Sequence, residues 1–265
     1  MLRTFSFCFT FIAALLLSCQ STRHAKGQGA ALKNGTSSMN ATLPADFSIT
    51  LIENQGMLPV YSTIFISAEE CYFEEYEYMA HRRNAFKLSP EQLHRIWQTL
   101  QNNAFEHIES EKHNIADRGG ISLFVQHNGK KTKLYDVGSY VLKDEWRKQF
   151  YEIVTVIKEM TDEALRQEKV RVQIHIASSI TSTDYILGVF VRGGVNYNSE
   201  KEGKKSSLTM DLLPGDHVLS ATLQENTQPP YSRKTVAHLM SPFSVSGDKE
   251  QAFTLNYVNG NLVLK

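Results

Sequence analysis

The sequence predicts an α+β domain over residues 44–167, followed by an all-β domain over residues 168–265. In the first range, two stretches repeat apolar residues at helical spacing, and strand-like runs lie around them. In the second range the helical period is absent, and short runs alternate apolar and polar residues. This change of period near residue 168 predicts the boundary between the two domains.

The first domain is predicted to begin with β-strands. Residues 48–52 and 60–66 are rich in β-branched residues, and Gly56 and Pro59 mark the turn between them. A third candidate strand, residues 71–79, is rich in tyrosine and glutamate. These runs predict one antiparallel sheet, because short turns join antiparallel neighbours.

Two helices are predicted in the same domain. Ser89 can cap the first helix, Pro90 fits its first turn, and Gln92 completes a capping box. Apolar residues then recur at helical spacing as far as Ala104. The second helix is predicted over residues 143–167, where large apolar residues line one face. Both helices are expected to pack on one side of the sheet.

A β-hairpin is predicted between the two helices. The run 121–127 meets Asn128 and Gly129, a pair of residues that favours a two-residue turn. Such a turn pairs Val125 with Thr132 and leaves one face of the hairpin apolar. The register is therefore fixed by the core that this face must cover.

The second domain is predicted to be a small β-sandwich. Seven short alternating runs lie between residues 170 and 264, separated by turn residues. The turn at 213–216 is expected to place the runs on either side of it next to each other, and the Asn259–Gly260 pair predicts another hairpin. The number and length of the strands indicate an immunoglobulin-like sandwich, although the cysteine and tryptophan hallmarks of immunoglobulin domains are absent.

The N-terminus has the pattern of an export signal. Arg3 is followed by an apolar stretch over residues 5–17, which is too short to cross a bilayer core that needs roughly 20 helical residues. Residues 16–19, with the sequence Leu-Leu-Ser-Cys, resemble the lipobox of bacterial lipoproteins. Residues 1–18 are therefore expected to form a signal peptide that is removed.

The lipobox resemblance implies that Cys19 carries lipid. In that family the thiol receives a diacylglycerol, the chain is cut before the cysteine, and the new amino group is usually acylated. Gln20 follows in place of the aspartate that retains lipoproteins in the inner membrane, so the resemblance favours the outer membrane. Residues 19–43 are small and polar and predict a flexible tether. The expected location is the cell envelope, on its periplasmic or surface face.

Charge and cysteine content narrow the classes of function. The chain has 28 basic and 28 acidic residues and a formal net charge of +0, so nucleic acid is not an expected partner. Cys8 leaves with the signal peptide and Cys19 is lipidated, so Cys71 has no partner for an intramolecular disulfide. No phosphate-binding or dinucleotide-binding fingerprint occurs, and no cofactor is predicted.

The first domain is similar, as a whole, to a small domain of unknown function that recurs in lipoproteins of Gram-negative envelopes. The resemblance rests on the strand pair, on the helix start at residues 89–93, and on the hairpin followed by an amphipathic helix. These are features of fold. The resemblance implies no activity and no catalytic residue.

Two polar clusters contain histidines or carboxylates, which can bind metal ions or act as acids and bases. The stretch 106–117 holds histidines and carboxylates, which bind zinc, but its spacing fits no zinc pattern and no metal site is predicted. Carboxylates over residues 69–77 could serve calcium binding or acid/base work on sugars. On a strand, Glu75 and Glu77 share one face while Glu74 lies on the other, so an exposed sheet face is the favoured interpretation. No catalytic residue is predicted.

The tyrosines of the third strand are the predicted ligand-binding residues. Tyr72, Tyr76 and Tyr78 fall on one face of a strand, where tyrosine offers a rigid surface with a polar tip to a sugar or a peptide. Cross-strand packing is the alternative interpretation of such a stripe. The sequence therefore predicts an envelope lipoprotein that binds a protein or glycan partner. The alternatives are a hydrolase acting on an envelope polymer and a structural spacer.

Overall fold

The computed structural model describes residues 42–115, 117–227, 233–247 and 249–265. Cys19, the predicted signal peptide and nearly all of the predicted tether lie outside these residues. Within them, no helix is both long enough and apolar enough to span a bilayer. The described residues belong to one compact unit.

Eight strands lie in the first half of this unit. They are β1 (Ser48–Asn54), β2 (Val60–Ser67), β3 (Cys71–Glu77), β4 (Ala80–Phe86), β5 (Ser110–Lys112), β6 (Gly120–His127), β7 (Lys130–Asp136) and β8 (Tyr140–Leu142). Six of them form an antiparallel sheet in the order β4-β3-β2-β1-β6-β7, and β5 pairs with β8. Alternate residues of β2 and β6 are buried, because the sheet is covered on one face.

Two helices cover that face. They are α1 (Pro90–Asn102) and α2 (Arg147–Leu165). The predicted capping box is confirmed: the Ser89 hydroxyl accepts a hydrogen bond from the Gln92 backbone N–H, and the Gln92 side-chain oxygen accepts one from the Ser89 N–H. Helices and sheet share one hydrophobic core, whose buried members include Phe47, Ile49, Leu100, Leu123, Phe150 and Ile157.

The second half of the unit holds two four-stranded sheets. Its elements are β9 (Val170–Ile176), β10 (Tyr185–Val191), β11 (Asn196–Asn198), the short helix α3 (Ser199–Glu202), β12 (Ser207–Leu212), β13 (Gly215–Glu225), β14 (Thr235–Val245), β15 (Gln251–Val258) and β16 (Asn261–Leu264). The strand orders are β11-β10-β13-β14 and β12-β9-β15-β16. Both sheets contribute to a second core, whose buried members include Val172, Ile174, Val189, Leu219, Leu223 and Leu255.

The predicted fold class is wrong. The described residues are 50% strand and 21% helix, and their strands form four sheets instead of an α+β domain followed by an immunoglobulin-like sandwich. β9 and β15 run parallel, whereas an immunoglobulin sandwich consists of antiparallel sheets. β12 and β13, predicted as neighbours across the turn at 213–216, lie in different sheets. Apolar periodicity identifies single strands, but the pairing of distant strands depends on tertiary contacts that it does not report.

The edge of the first sheet contacts the second half directly. β4, which the sequence analysis did not predict, places Arg82 and Asn84 against the turn between β12 and β13. Arg82 Nη1 donates to the backbone oxygen of Asp216 at 3.1 Å, and Asn84 Nδ2 donates to that of Pro214 at 3.0 Å. Because both halves belong to one compact unit, the domain boundary near residue 168 stays a prediction.

The two predicted Asn-Gly hairpins are confirmed. Asn128 and Gly129 adopt positive φ angles of 48° and 72°, and Val125 lies opposite Thr132 in the predicted register. The Asn259–Gly260 turn joins β15 to β16 in the same manner. Local turn chemistry was therefore sufficient to predict these two strand pairs.

Candidate functional site

A cavity of about 290 Å³ lies where the first sheet meets the second half of the compact unit. Its walls come from β1 to β4, from α2, and from β12, β13 and the turn after β10. The apolar part of the wall consists of Ile64, Phe73, Leu165, Leu212 and Leu213. Small-molecule sites in proteins typically measure roughly 300–1,000 Å³ and have mostly apolar walls with a few polar groups. The cavity lies close to the lower end of that range.

Three charged side chains meet beside the cavity and are called here the buried charge cluster: Glu75, Arg82 and Arg192. Glu75 on β3 lies opposite Arg82 on β4, and its Oε2 accepts a hydrogen bond from Arg82 Nη2. Its Oε1 accepts one from Arg192 Nε at 2.5 Å. The side chains of Glu75 and Arg82 are 6% and 4% exposed, and that of Arg192 is 22% exposed. One carboxylate is therefore shared by two guanidinium groups with little access to water.

Burial changes the acid–base behaviour of this cluster. Desolvation, together with the positive charge of Arg192, lowers the pKa of Arg82 to about 10. Arg82 therefore stays protonated at neutral pH. Its Nε is buried and has no hydrogen-bond partner among the described residues.

His217 on β13 is a neutral neighbour of the cluster. It is 1% exposed, and its Nε2 donates to the backbone oxygen of Leu213 at 2.8 Å. Burial, with a smaller contribution from Arg82, lowers the pKa of His217 to about 4, so the ring is uncharged at neutral pH. Its ring stacks on Phe243 with 5.6 Å between centroids. The other ring nitrogen, Nδ1, is buried and has no partner among the described residues.

The remaining charged residues that line the cavity include one close ion pair. Lys158 Nζ donates to Glu53 Oε2 at 2.7 Å, so these two charges offset each other. Asp162 and Lys169 are exposed. In total, four basic and three acidic side chains line the cavity, and His217 adds no charge. The wall therefore has an excess of one positive charge.

The predicted ligand-binding tyrosines lie away from this cavity. Tyr72 and Tyr76 are on the opposite, outer face of β3, as strand alternation requires. Tyr78 does not continue that face, because β3 ends at Glu77 and Tyr78 lies in the following turn with a φ of 51°. The three tyrosines therefore do not form one stripe.

The rings of Tyr72 and Tyr76 are covered by side chains from both neighbouring strands. Tyr76 stacks on Tyr61 of β2 and on His81 of β4, with 4.5 and 4.0 Å between centroids. Tyr72 stacks on Phe65 of β2 at 5.2 Å, and the guanidinium of Arg83 from β4 lies 3.7 Å from its ring centroid. This is cross-strand packing, the alternative interpretation of the stripe. A sugar or peptide ring could stack on either tyrosine only after a neighbour had moved.

The other polar clusters considered from the sequence do not gather into a site in the described residues. Glu106, His107 and His113 are exposed. Among the described residues, no group of three or more His, Cys, Asp or Glu side chains is placed to hold a metal ion. Cys71 is buried in the first core, and desolvation raises the pKa of its thiol, which disfavours the nucleophilic thiolate.

Of the carboxylates over residues 69–77, only Glu75 lines the cavity. Glu75 and Glu77 are buried on one face of β3 and Glu74 lies on the other, as predicted from strand alternation. The interpretation of all five as an exposed sheet face is wrong for Glu75 and Glu77, which are each 5% exposed. Sequence reasoning also did not single out Arg82, Arg192 or His217.

No protein-family model matches this chain, and no curated protein matches it either. The two resemblances drawn from sequence motifs therefore remain expectations.

Proposed function

We propose that this protein is an outer-membrane lipoprotein, anchored by lipid on Cys19, that binds a small ligand in the cavity beside Glu75. The observation that carries the binding role is the cavity itself, which combines apolar side chains from two parts of the fold with charged side chains. The anchor is supported by the lipobox resemblance at residues 16–19. A ligand in this cavity replaces the tyrosine face as the proposed contact with a partner.

Binding is favoured over catalysis by the state of the charged groups. Each carboxylate oxygen of Glu75 already accepts a hydrogen bond from an arginine, so neither is free to accept one from a substrate. Nδ1 of His217, the one ring nitrogen that could accept a proton, is buried. Among the described residues that line the cavity, no hydroxyl lies within hydrogen-bond distance of a carboxylate or an imidazole. These features favour a site that holds a molecule over one that transforms it.

Native mass spectrometry of the full chain, extracted from its own envelope, tests the binding role. The expected result is a small-molecule adduct on the wild type. Ser62→Phe places a ring in the cavity, because Ser62 lines it and is 9% exposed, and this variant should lose the adduct. Thr63→Phe is the matched control, since the next residue of β2 points to the outer face.

Two results would contradict the binding role. One is the absence of any adduct on folded wild-type protein. The other is an adduct that persists on folded Ser62→Phe, because the ligand would then lie elsewhere. Circular dichroism of each variant establishes that it is folded.

The anchor is tested separately with Cys19→Ala. If lipid on Cys19 holds the protein to the membrane, this variant should move from the membrane fraction to the soluble fraction. A Cys71→Ala variant is the control and should stay with the membrane. Retention of Cys19→Ala in the membrane fraction would contradict the anchor.

A further inference from the structure

We infer that the ligand of this cavity is a small organic anion, with a carboxylate or phosphate head and a short apolar tail. The inference rests on the proposed function, since it names the chemistry of the molecule that the cavity would hold. It is supported by two guanidinium groups that share one carboxylate beside the cavity, by the free donors of Arg192, and by the apolar side chains in the same wall.

The charge balance of the buried cluster calls for an anion. Arg82 and Arg192 both donate to the single carboxylate of Glu75, so among the described residues two guanidinium groups share one hydrogen-bonded carboxylate. A buried charge is costly unless an opposite charge or hydrogen bonds compensate it. A monoanionic ligand would supply the second negative charge.

Glu77 is the nearest acid on the same face of β3, and it does not supply that charge by contact. It is 5% exposed, and its Oε2 is buried without a hydrogen-bond partner among the described residues. Burial raises the pKa of Glu77, and the charge of Arg192 opposes that rise. Glu77 also does not line the cavity.

Arg192 has the donors that an anionic head requires. Within the described part of the chain, its side chain is bonded only through Nε, to Glu75, which leaves both Nη groups available. A guanidinium binds carboxylate and phosphate oxygens with two parallel hydrogen bonds, which adds both strength and geometric selectivity. Ser62, which lies opposite Glu75 across β2 and β3, adds a hydroxyl to the cavity lining, and Lys169 is exposed with no ion pair among the described residues.

The other charged groups do not favour a cationic ligand. Lys158 already pairs with Glu53 at 2.7 Å, and His217 is neutral. Asp162 is exposed, and Lys169, which carries the opposite charge, also lines the cavity, so the two together add no net charge to it. Ile64, Phe73 and three leucines also line the cavity and offer only carbon surface. A head group at Arg192 with a short tail along these side chains fits both parts of the wall.

Four probes that share one tail and differ in the head test the inference: hexanoate, hexyl phosphate, hexan-1-ol and hexylamine. Each is titrated by calorimetry into the full chain reconstituted in lipid nanodiscs. Hexanoate and hexyl phosphate should bind at least about tenfold more tightly than hexan-1-ol, and hexylamine should bind most weakly. The ratio between hexanoate and hexyl phosphate then distinguishes a carboxylate ligand from a phosphate ligand.

Variants locate the head group. Arg192→Gln should lose about tenfold or more in affinity for the two anions and leave hexan-1-ol unchanged. Arg83→Gln is the control, because Arg83 lies on the outer face over Tyr72 and should leave all four affinities unchanged. The comparison among probes needs the wild type alone, so the inference stays testable if Arg192→Gln does not fold.

The outcomes separate this inference from the proposed function. Equal or tighter binding of hexan-1-ol or hexylamine would overturn the anion while leaving the cavity as a binding site, provided that Ser62→Phe still abolishes that binding. Anion binding that survives unchanged in folded Arg192→Gln would also overturn the inference. Absence of binding by all four probes would overturn this ligand class, and the adduct on the wild-type protein would then decide whether the cavity binds anything.

Discussion

The two faces of β3 contain similar residues and behave in opposite ways. Glu75 faces inward, is 6% exposed at its side chain, and meets two arginines, one of them from the second half of the chain. Glu74 faces outward, is 22% exposed, and lies 2.9 Å from Nε2 of the exposed His81. Adjacent glutamates of one strand are thus placed in a buried cluster and at the surface. Burial, and not residue type, therefore decides how strongly each glutamate contributes to the stability of the fold.

The aromatic residues of β3 show the same contrast. On the outer face, Tyr72 and Tyr76 have their rings covered by neighbours from β2 and β4. On the inner face, Phe73 is partly buried and lines the cavity. On the outer face the neighbouring side chains cover one another. The inner face instead borders open space, where two guanidinium groups share one carboxylate.

The largest loss of stability is expected when the charge of the inward-facing Glu75 is removed. Glu75→Gln should lower the free energy of unfolding by about 3–5 kcal/mol, because the buried guanidinium of Arg82 and the partly exposed one of Arg192 lose the one carboxylate that they contact among the described residues. Glu74→Gln is the matched control and should cost less than about 1 kcal/mol, as exposed ion pairs do. Urea denaturation measures both. Equal losses for the two variants would remove the contrast between the faces.

The next largest effect is a dependence of stability on pH that comes from the buried His217. Its pKa in the folded state, about 4, lies below its ordinary value of 6.5, so the unfolded state binds more protons between these two values. The stability from His217 is therefore complete above pH 6.5 and is lost as the pH falls toward 4, by about 3 kcal/mol in all.

His217→Gln tests this dependence, because glutamine does not titrate and its amide can still donate to a carbonyl. The difference in unfolding free energy between wild type and His217→Gln, measured by urea denaturation from pH 7.5 to pH 4, should shrink as the pH falls. A difference that stays constant across this range would show that His217 is not buried in its neutral form.

The smallest effect is expected on the outer face. Tyr76→Ala removes two stacked ring contacts and should cost about 1–2 kcal/mol of unfolding free energy. It should leave the small-molecule adduct of the cavity unchanged. Loss of the adduct in folded protein with alanine at Tyr72, Tyr76 and Tyr78 would instead support the binding role predicted for them from the sequence.

Features that depend on neighbouring residues were predictable from the sequence. The Ser89 capping box and the Asn128–Gly129 hairpin are satisfied within a few residues, so local patterns specify them. β4 was not predictable in the same way, because Arg82 and Asn84 occupy its inward positions. Their hydrogen-bond partners lie 134 and 130 residues further along the chain. The inward position of Arg82 can be explained only from the tertiary structure, which brings its hydrogen-bond partners next to β4.

The candidate site shows the same limit. Strand alternation correctly placed Glu75 and Glu77 together on one face, but sequence spacing gave no sign that Arg192 would reach Glu75 from a residue 117 positions away. The predicted fold class was wrong for a related reason, since the periodicity of single strands does not show which sheets they join. Sites formed between distant segments require the tertiary structure.

The ligand in the cavity can be seen directly in a crystal structure of the full chain extracted from its own envelope. We expect density for a bound molecule in the cavity, with an oxygen-bearing head within hydrogen-bond distance of Arg192 Nη and its tail against Leu212 and Leu213. A cavity that holds only water, with a bound molecule on the outer face at Tyr72 or Tyr76, would contradict it.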